Sequence, residues 1–349
     1  MFVSALLALA FITSVTRAEE QARRERAITM AVGSYGDLAI VLSAPALRGV
    51  VRPALDRLNT QVTFVVREEP TFAVDFYAAD EWKFAHDYKN LLILVNWSDG
   101  GRVVRAVEDL LEPPDLARLR AAGGGIAQLN DPLLSYQFAV IVAAHDRTQL
   151  AALLERNADR LRELYEKQNR ERIRRQFARE GLHDGWLARN WQRYRILLSI
   201  PSVYRENQVE PAGFPGIEWT RAGPTRGITL SWRRAPHPET LLADRAALLS
   251  MRRDMGRVLH REEISDEGLE WESTRLGELP ALRLTGSWVS REIQVGGAFW
   301  SYFIADPAGG RVFCLDLLAY MPHIDEPKMP LYRELLAIAE TFSLRQPHP

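Results

Sequence analysis

The stretch that decides the fold is Leu282–Tyr320, LRLTGSWVSREIQVGGAFWSYFIADPAGGRVFCLDLLAY. Leu282 to Val289 alternates apolar and polar, which sets Leu284 and Trp288 on one face of a strand. Phe299–Ala305 and Arg311–Tyr320 are apolar runs separated by Asp306-Pro307-Ala308-Gly309-Gly310, whose Gly and Pro suit a hairpin. A helix from about Pro330 to Phe342 follows and supplies an apolar surface to pack on them. Strands followed by a packing helix predict an α+β lobe.

Upstream, the same lobe extends through strands at Tyr194–Ile200, Ile217–Thr220 and Gly227–Arg233 and a helix from Pro238 to about Leu259. The N-terminal half reads as a second α+β lobe. Leu38–Leu42 is a strand-like run, and Pro53–Leu58 lies in a short helix. Thr71–Tyr77 is half-buried, with Phe72, Val74 and Phe76 on one face. Leu91–Trp97 is apolar almost throughout, as a central strand is. A helix runs from Gly100-Gly101 to Leu111, where Pro113-Pro114 stops it. Tyr136–Ala143 is the last strand of this half. From Thr148 to about Arg179, Leu150, Leu154, Leu161, Tyr165, Ile173 and Phe177 recur at helical spacing. Arg170, Arg172, Arg174, Arg175 and Arg179 make the end of that helix basic, which reads as a solvated face first and a ligand patch second.

The predicted architecture is therefore α+β: two lobes, each a largely antiparallel sheet packed by helices, linked by a long charged helix. The segments are residues 1–18, a linker at 19–32, an N-terminal lobe at 33–180, a junction at 181–193, a C-terminal lobe at 194–344 and a tail at 345–349. With 47% hydrophobic and 26% charged residues, the 349-residue chain has the balance of one that buries cores. A net charge of -1 gives no general attraction to nucleic acid or to anionic membranes.

The uncharged run Phe2–Val15, followed by Thr16-Arg17-Ala18, has the form of a cleaved export signal, with the mature chain starting near Glu19. No Lys or Arg precedes the run, so an uncleaved anchor or a buried first helix are the alternatives. It is shorter than the roughly 20 residues a membrane-spanning helix needs. The expected location is thus outside the cytoplasm, periplasmic or secreted, with any membrane contact only through an uncleaved N-terminal segment. Cys314 is the single cysteine; it excludes an intramolecular disulfide and sits in an apolar run, as a core residue does. No Cys follows the signal to carry a lipid.

Catalytic motifs are lacking: there is no G-x-S-x-G, no P-loop, no H-E-x-x-H and no G-x-G-x-x-G after a strand. His86-Asp87, His145-Asp146 and His183-Asp184 repeat a dipeptide, but adjacent residues do not share a face as metal ligands must. Gly123-Gly124-Gly125 lacks the Lys and hydroxyl of a phosphate loop and reads as a flexible connector. One constellation remains. Asp316 interrupts an apolar strand, where a carboxylate is costly unless a cation meets it. Arg253 and Asp254 on the preceding helix, and Arg283 and Arg291 on or beside neighbouring strands, are the candidate companions. Arg253 and Arg283 are the expected partners of Asp316. Gly296 and Gly297 would admit a ligand or another backbone, and Trp219, Trp232, Trp288 and Trp300 add aromatic surface. A buried Arg–Asp brace is the first reading, a ligand pocket the second.

Several short segments resemble a family of exported bacterial proteins, often lipoproteins, known as the domain-of-unknown-function 4837 family. They are Gly36-Asp37-Leu38, Glu69-Pro70-Thr71-Phe72, Lys89-Asn90-Leu91, Gly216-Ile217-Glu218-Trp219, Arg253-Asp254, Gly286-Ser287-Trp288, Gly296-Gly297-Ala298-Phe299 and Tyr320-Met321-Pro322. The resemblance runs from about Gly33 to Phe342 and implies no known activity. Two departures are the missing lipidation Cys and Thr285, where the family pattern has Arg. The order of elements in the second half also resembles the PsbP-like fold, a binding and assembly-factor scaffold.

The expected function is a cofactor-free binding or accessory protein of the cell envelope, whose partner is an envelope protein or a small ligand. A hydrolase of envelope polymers using Asp316 with Asp254 or Glu292 is the alternative, and a purely structural scaffold a third.

Overall fold

The structure is a computed structural model that describes residues 30–64, 67–208, 215–292, 294–320 and 327–345. The expected export signal and Met321-Pro322 lie outside the described residues. Contacts divide the chain into two units, one formed by residues up to Thr60 and Pro70–Gln168, the other by Gln61–Glu69 and residues from Asn169 on.

In the first unit, strand β1 (Asp37–Leu42) leads to helix α1 (Leu47–Leu58). The hairpin of β2 (Gln61–Phe64) and β3 (Arg67–Pro70) follows, and all of it but Pro70 clusters with the second unit. The first unit resumes with β4 (Ala73–Tyr77), the short helix α2 (Trp82–Ala85) and β5 (Asn90–Asn96). Helices α3 (Gly101–Leu110) and α4 (Pro113–Ala121) precede β6 (Gly124–Asn130) and β7 (Phe138–Ala144). The sheet order is β4-β1-β5-β7-β6. The α+β class holds for the chain, but this sheet departs from the largely antiparallel arrangement expected. β4, β1, β5 and β7 are parallel, and only β6 runs against its neighbour. The fully buried runs of β5 and β7 follow from their central place in this sheet, which is covered on both faces. One face packs Leu47, Val51 and Leu55 of α1 with Leu150, Leu154, Leu161 and Tyr165 of the long helix. The other packs Val103, Val104 and Val107 of α3 with Leu119 of α4.

Two local elements differ from expectation. Pro113 does not simply end a helix; it opens α4, because the first helical position needs no amide hydrogen. Gly123-Gly124-Gly125 is not a loose connector, since Gly124 starts β6. A Cβ at Gly124 would lie 2.5 Å from the Ala143 carbonyl oxygen, so the close strand approach requires glycine.

Helix α5 (Arg147–Glu180) is as long as its periodicity predicts, and the division between units falls inside it, at Gln168–Asn169, rather than after residue 180. Its basic end is only partly solvated. Arg172 is buried and donates to Asn169 Oδ1 at 2.6 Å, while Arg170 and Arg174 both pair with Glu340, at 2.7 and 2.8 Å. The expected junction at 181–193 contains helix α6 (Asp184–Tyr194). Tyr194–Ile200 is not a strand; Leu197 makes only an isolated bridge to Ser343.

The second unit is built on a larger antiparallel sheet. Its strands are β8 (Arg205–Gln208), β9 (Gly216–Arg221) and β10 (Thr225–Arg234), then β11 (Glu263–Ile264), β12 (Glu270–Leu276), β13 (Leu279–Ser290), β14 (Val295–Asp306) and β15 (Arg311–Tyr320). The order is β11-β13-β14-β15-β10-β9-β8, with β12 also pairing β13. Between β10 and β11 lie α7 (Pro238–Ala243), α8 (Arg245–Met255) and a π-helical turn at Gly256–His260. The single helix expected over Pro238–Leu259 is interrupted at Asp244, whose side chain caps α8 by accepting from the Ala247 amide at 3.0 Å. Helix α9 (Met329–Ala339) follows β15. Alternation along the strands feeds two cores. Leu248, Met251 and Met255 of α8 pack with Leu284, Trp288, Phe299, Phe303 and Cys314. Trp300 stacks with Phe64 of the hairpin and lies 4.5 Å from the ring of Tyr332 on α9.

Candidate functional site

The second sheet carries a row of polar side chains crossing five adjacent strands. Asn207 of β8 is in register with Glu218 of β9, Glu218 with Thr229 of β10, Thr229 with Asp316 of β15, and Asp316 with Ser301 of β14. Residues directly opposite each other in an antiparallel pair share a face, so the row is a continuous polar stripe. It ends at Leu284 of β13, opposite Ser301.

Helix α8 and the turn after it lay charges over this stripe. Arg252 Nε donates to Asp316 Oδ1 at 3.0 Å, and the Ser301 hydroxyl reaches the same oxygen at 2.5 Å. Arg252 Nη2 donates to Glu262 Oε2 at 3.4 Å, and the guanidinium lies 4.5 Å from the Phe299 ring centre. His260 Nε2 is 3.1 Å from the Thr229 hydroxyl, its Nδ1 is 3.5 Å from Glu218 Oε1, and the Asn207 amide donates to Glu218 at 3.2 Å. The stripe is graded in burial. Asn207 is exposed, Glu218 and His260 side chains are 17% and 14% exposed, and Asp316 and Arg252 are 1% and 0% exposed. Among the described residues, Asp316 Oδ2 and Arg252 Nη1 are buried without a hydrogen-bond partner.

Burial dominates the ionisation of the cluster. It pushes Asp316 up, against the opposing pull of Arg252 and of the Ser301 hydrogen bond. Burial also raises Glu262 to about 7, with Arg252 opposing and Asp316 adding to the rise. His260 is lowered to about 4, first by burial and then by the Arg252 charge. Glu218 is raised by burial, with Asn207 pulling the other way. Burial alone would lower Arg252, but Asp316 and Glu262 outweigh it and hold the guanidinium above its ordinary value.

Of the residues singled out from sequence, only Asp316 belongs to this cluster. Its arginine is Arg252, not Arg253 or Arg283. One residue along a helix turns the side chain by about 100°, so Arg252 faces the sheet while Arg253 points outward to Asp266. Arg283 lies between Leu282 and Leu284, which pack on the α8 side, and therefore sits on the opposite face. There it pairs with Glu272 and stacks over Trp300. Asp254 pairs with Arg233 at 3.1 Å and Arg257 at 2.9 Å, and Arg291 pairs with Glu263 at 2.9 Å. Glu292, the other proposed carboxylate partner of Asp316, is bound to Arg261. The acid that shares a cation with Asp316 is Glu262.

The aromatic and glycine candidates are sheet packing. Trp219 is fully buried beside Trp186, and Trp232 packs on Tyr194 and Phe313. Trp288 is buried against α8 rather than against the final helix, and its indole donates to the Ala298 carbonyl at 3.2 Å. A Cβ at Gly296 would lie 2.8 Å from the Trp288 carbonyl oxygen; one at Gly297 would lie 2.9 Å from the Ala319 carbonyl oxygen and 3.0 Å from the Trp288 indole nitrogen. Neighbouring strands, not a ligand, approach these glycines. Among the described residues no group of three or more His, Cys, Asp and Glu side chains could hold a metal ion. None of the described helices is long and apolar enough to cross a membrane.

Missing from the sequence reading were Arg252, Glu218, Thr229, His260, Glu262 and Ser301. A signal for the strand members existed: Ile217-Glu218-Trp219, Ile228-Thr229-Leu230, Trp300-Ser301-Tyr302 and Leu315-Asp316-Leu317 each set one polar residue between two large apolar ones.

No curated protein matches the chain. Among solved structures, a Bacteroides thetaiotaomicron protein aligns at 9% identity and a TM-score of 0.29, covering 44% of this chain and 46% of that one. LpqN of Mycobacterium tuberculosis, described as involved in cell envelope biogenesis, aligns at 20% identity and a TM-score of 0.27, covering 42% of this chain and 82% of LpqN. Residues 260–341, from the π-helical turn through α9, match the domain of unknown function DUF4837, which bears out the family resemblance over that stretch.

Proposed function

We propose that this chain is an exported, envelope-side binding or accessory protein that acts without a cofactor. The observation carrying this reading is the closure of the polar stripe around Asp316. A carboxylate-pair hydrolase needs two carboxyl groups facing one cleft at about 5–9.5 Å, with room for substrate and water. Asp316 is instead 1% exposed and held by Arg252 and Ser301, and Glu262 is bound to the same arginine. Such an arrangement supports a structural brace inside a rigid sheet, leaving the outer surfaces to do the binding.

The test is to express the full chain with a C-terminal tag in an export-competent host, fractionate the cells, and incubate the purified protein with isolated envelope polymer. The expected result is an extracytoplasmic protein whose N-terminus lies near Glu19 and which releases no soluble fragments. An intact Met1 in the cytoplasmic fraction would overturn the export reading. Polymer cleavage that Asp316→Asn abolishes would overturn the binding reading in favour of the hydrolase.

A further inference from the structure

The first unit carries a groove of about 490 Å³ lined by Trp82, Lys83 and His86 on one side and Arg102, Arg105, Ala106 and Asp109 on the other. The second set is one face of α3, spaced i, i+3, i+4 and i+7, while Val103, Val104 and Val107 turn into the core. Ala106 leaves the middle of that face shallow, and the larger side chains form the walls.

The charges in this groove are not consumed by the fold. Among the described residues Arg102 and Arg105 form no ion pair, and Lys83 lies only over the Phe84 ring, at 4.8 Å. His86 has its own carboxylate neighbour, Asp87, at 3.2 Å. Three cations against the single carboxylate of Asp109 leave two positive charges on the lining. No acidic residue occupies the first turn of α3, so the positive end of the helix adds to the field at Arg102. That end also lies at the carboxyl edge of the parallel sheet.

From these observations we infer that the groove between α2 and α3 binds a small ring-bearing phosphate monoester, its phosphate held by Lys83, Arg102 and Arg105 and its ring against Trp82. The excess of two charges matches a phosphate monoester, which carries roughly −1.5 to −2 at neutral pH, better than a single carboxylate. Arginine forks engage phosphate oxygens in pairs, and an indole wall rewards a flat or C–H-rich ring. The inference concerns a site separate from the polar stripe and does not depend on it.

The test is calorimetric titration of the full-length protein at low salt with inorganic phosphate, glucose 1-phosphate and adenosine 5′-monophosphate. The variants are Arg102→Glu/Arg105→Glu, Lys83→Glu and Trp82→Ala, with thermal unfolding as a check on folding. Tighter binding of at least one ring-bearing ester than of inorganic phosphate is expected, and the two esters show whether a sugar or a base is preferred. The double arginine variant should weaken binding by about tenfold or more. Trp82→Ala should reduce the ester to the affinity of inorganic phosphate. The inference is overturned if the wild-type protein binds none of the three, if it does not prefer an ester over phosphate, or if the folded arginine variant binds as well as wild type.

Discussion

Asp316→Asn is the most informative single change in this protein. The amide keeps the volume of the side chain and one oxygen for Arg252 Nε and the Ser301 hydroxyl, now 3.0 and 2.5 Å from Asp316 Oδ1. What it removes is the negative charge opposite a guanidinium that is fully buried. Leaving a buried ion without its partner typically costs about 3–5 kcal/mol. Glu262 remains 3.4 Å from the same guanidinium and loses the repulsion of Asp316, so it takes up part of the deficit. The lower end, about 3 kcal/mol, is therefore expected. For a unit of this size that corresponds to a fall in Tm of roughly 6–12 °C. Guanidinium unfolding followed by tryptophan fluorescence, with calorimetry for Tm, measures both. The companion variant Arg252→Met/Glu262→Gln/Asp316→Leu removes every charge of the cluster at once. It should recover most of the loss, because an apolar replacement of a buried ionic group avoids its desolvation cost. A loss below about 1 kcal/mol for Asp316→Asn, or a triple variant less stable than the single one, would refute the brace.

Three further outcomes follow from the same core and stripe. Trp288→Ala, in the cluster with Leu248, Met251 and Met255, should cost about 3–5 kcal/mol in denaturant unfolding; a near-neutral result would mean that the indole is not core. Gly297→Ala should cost about 1–3 kcal/mol, because its Cβ would meet the Ala319 carbonyl oxygen at 2.9 Å, a backbone atom fixed by strand pairing. The pH dependence of stability should contain two opposed contributions. His260, lowered to about 4, contributes stability present above about 6.5 and lost as the pH falls toward 4, so His260→Gln should flatten the acid limb. Glu262, raised to about 7, contributes stability present below about 4.5 and lost as the pH rises through 7, so Glu262→Gln should flatten the neutral limb. Unfolding curves from pH 4 to 8 that keep their shape in both variants would remove these groups from the linkage.

Much of the fold was legible because its determinants are local. The hairpin at Asp306–Gly310, the alternation of Leu284 and Trp288, and the helical spacing from Leu150 to Phe177 lie within short windows, and each matches an element. The need for a cation beside Asp316 was equally local, since a carboxylate in an apolar strand has few other solutions. Strand direction in the first unit was not local. An apolar run such as Leu91–Val95 suits a parallel or an antiparallel neighbour alike, and only the helical crossovers settle which.

The polar stripe shows the same boundary at the level of a site. By itself the sequence determined that Glu218, Thr229, Ser301 and Asp316 each stand alone among large apolar neighbours. Only the tertiary structure decided that they stand in one row, because the row depends on cross-strand register between residues as far apart in the chain as Thr229 and Asp316, and a slip of one residue would turn any of them to the other face. The choice of Arg252 over Arg253 has the same origin. Both are equally basic and adjacent in the chain, and the rotation of α8 about its own axis, set by packing Leu248, Met251 and Met255 on the sheet, determines which of them reaches Asp316.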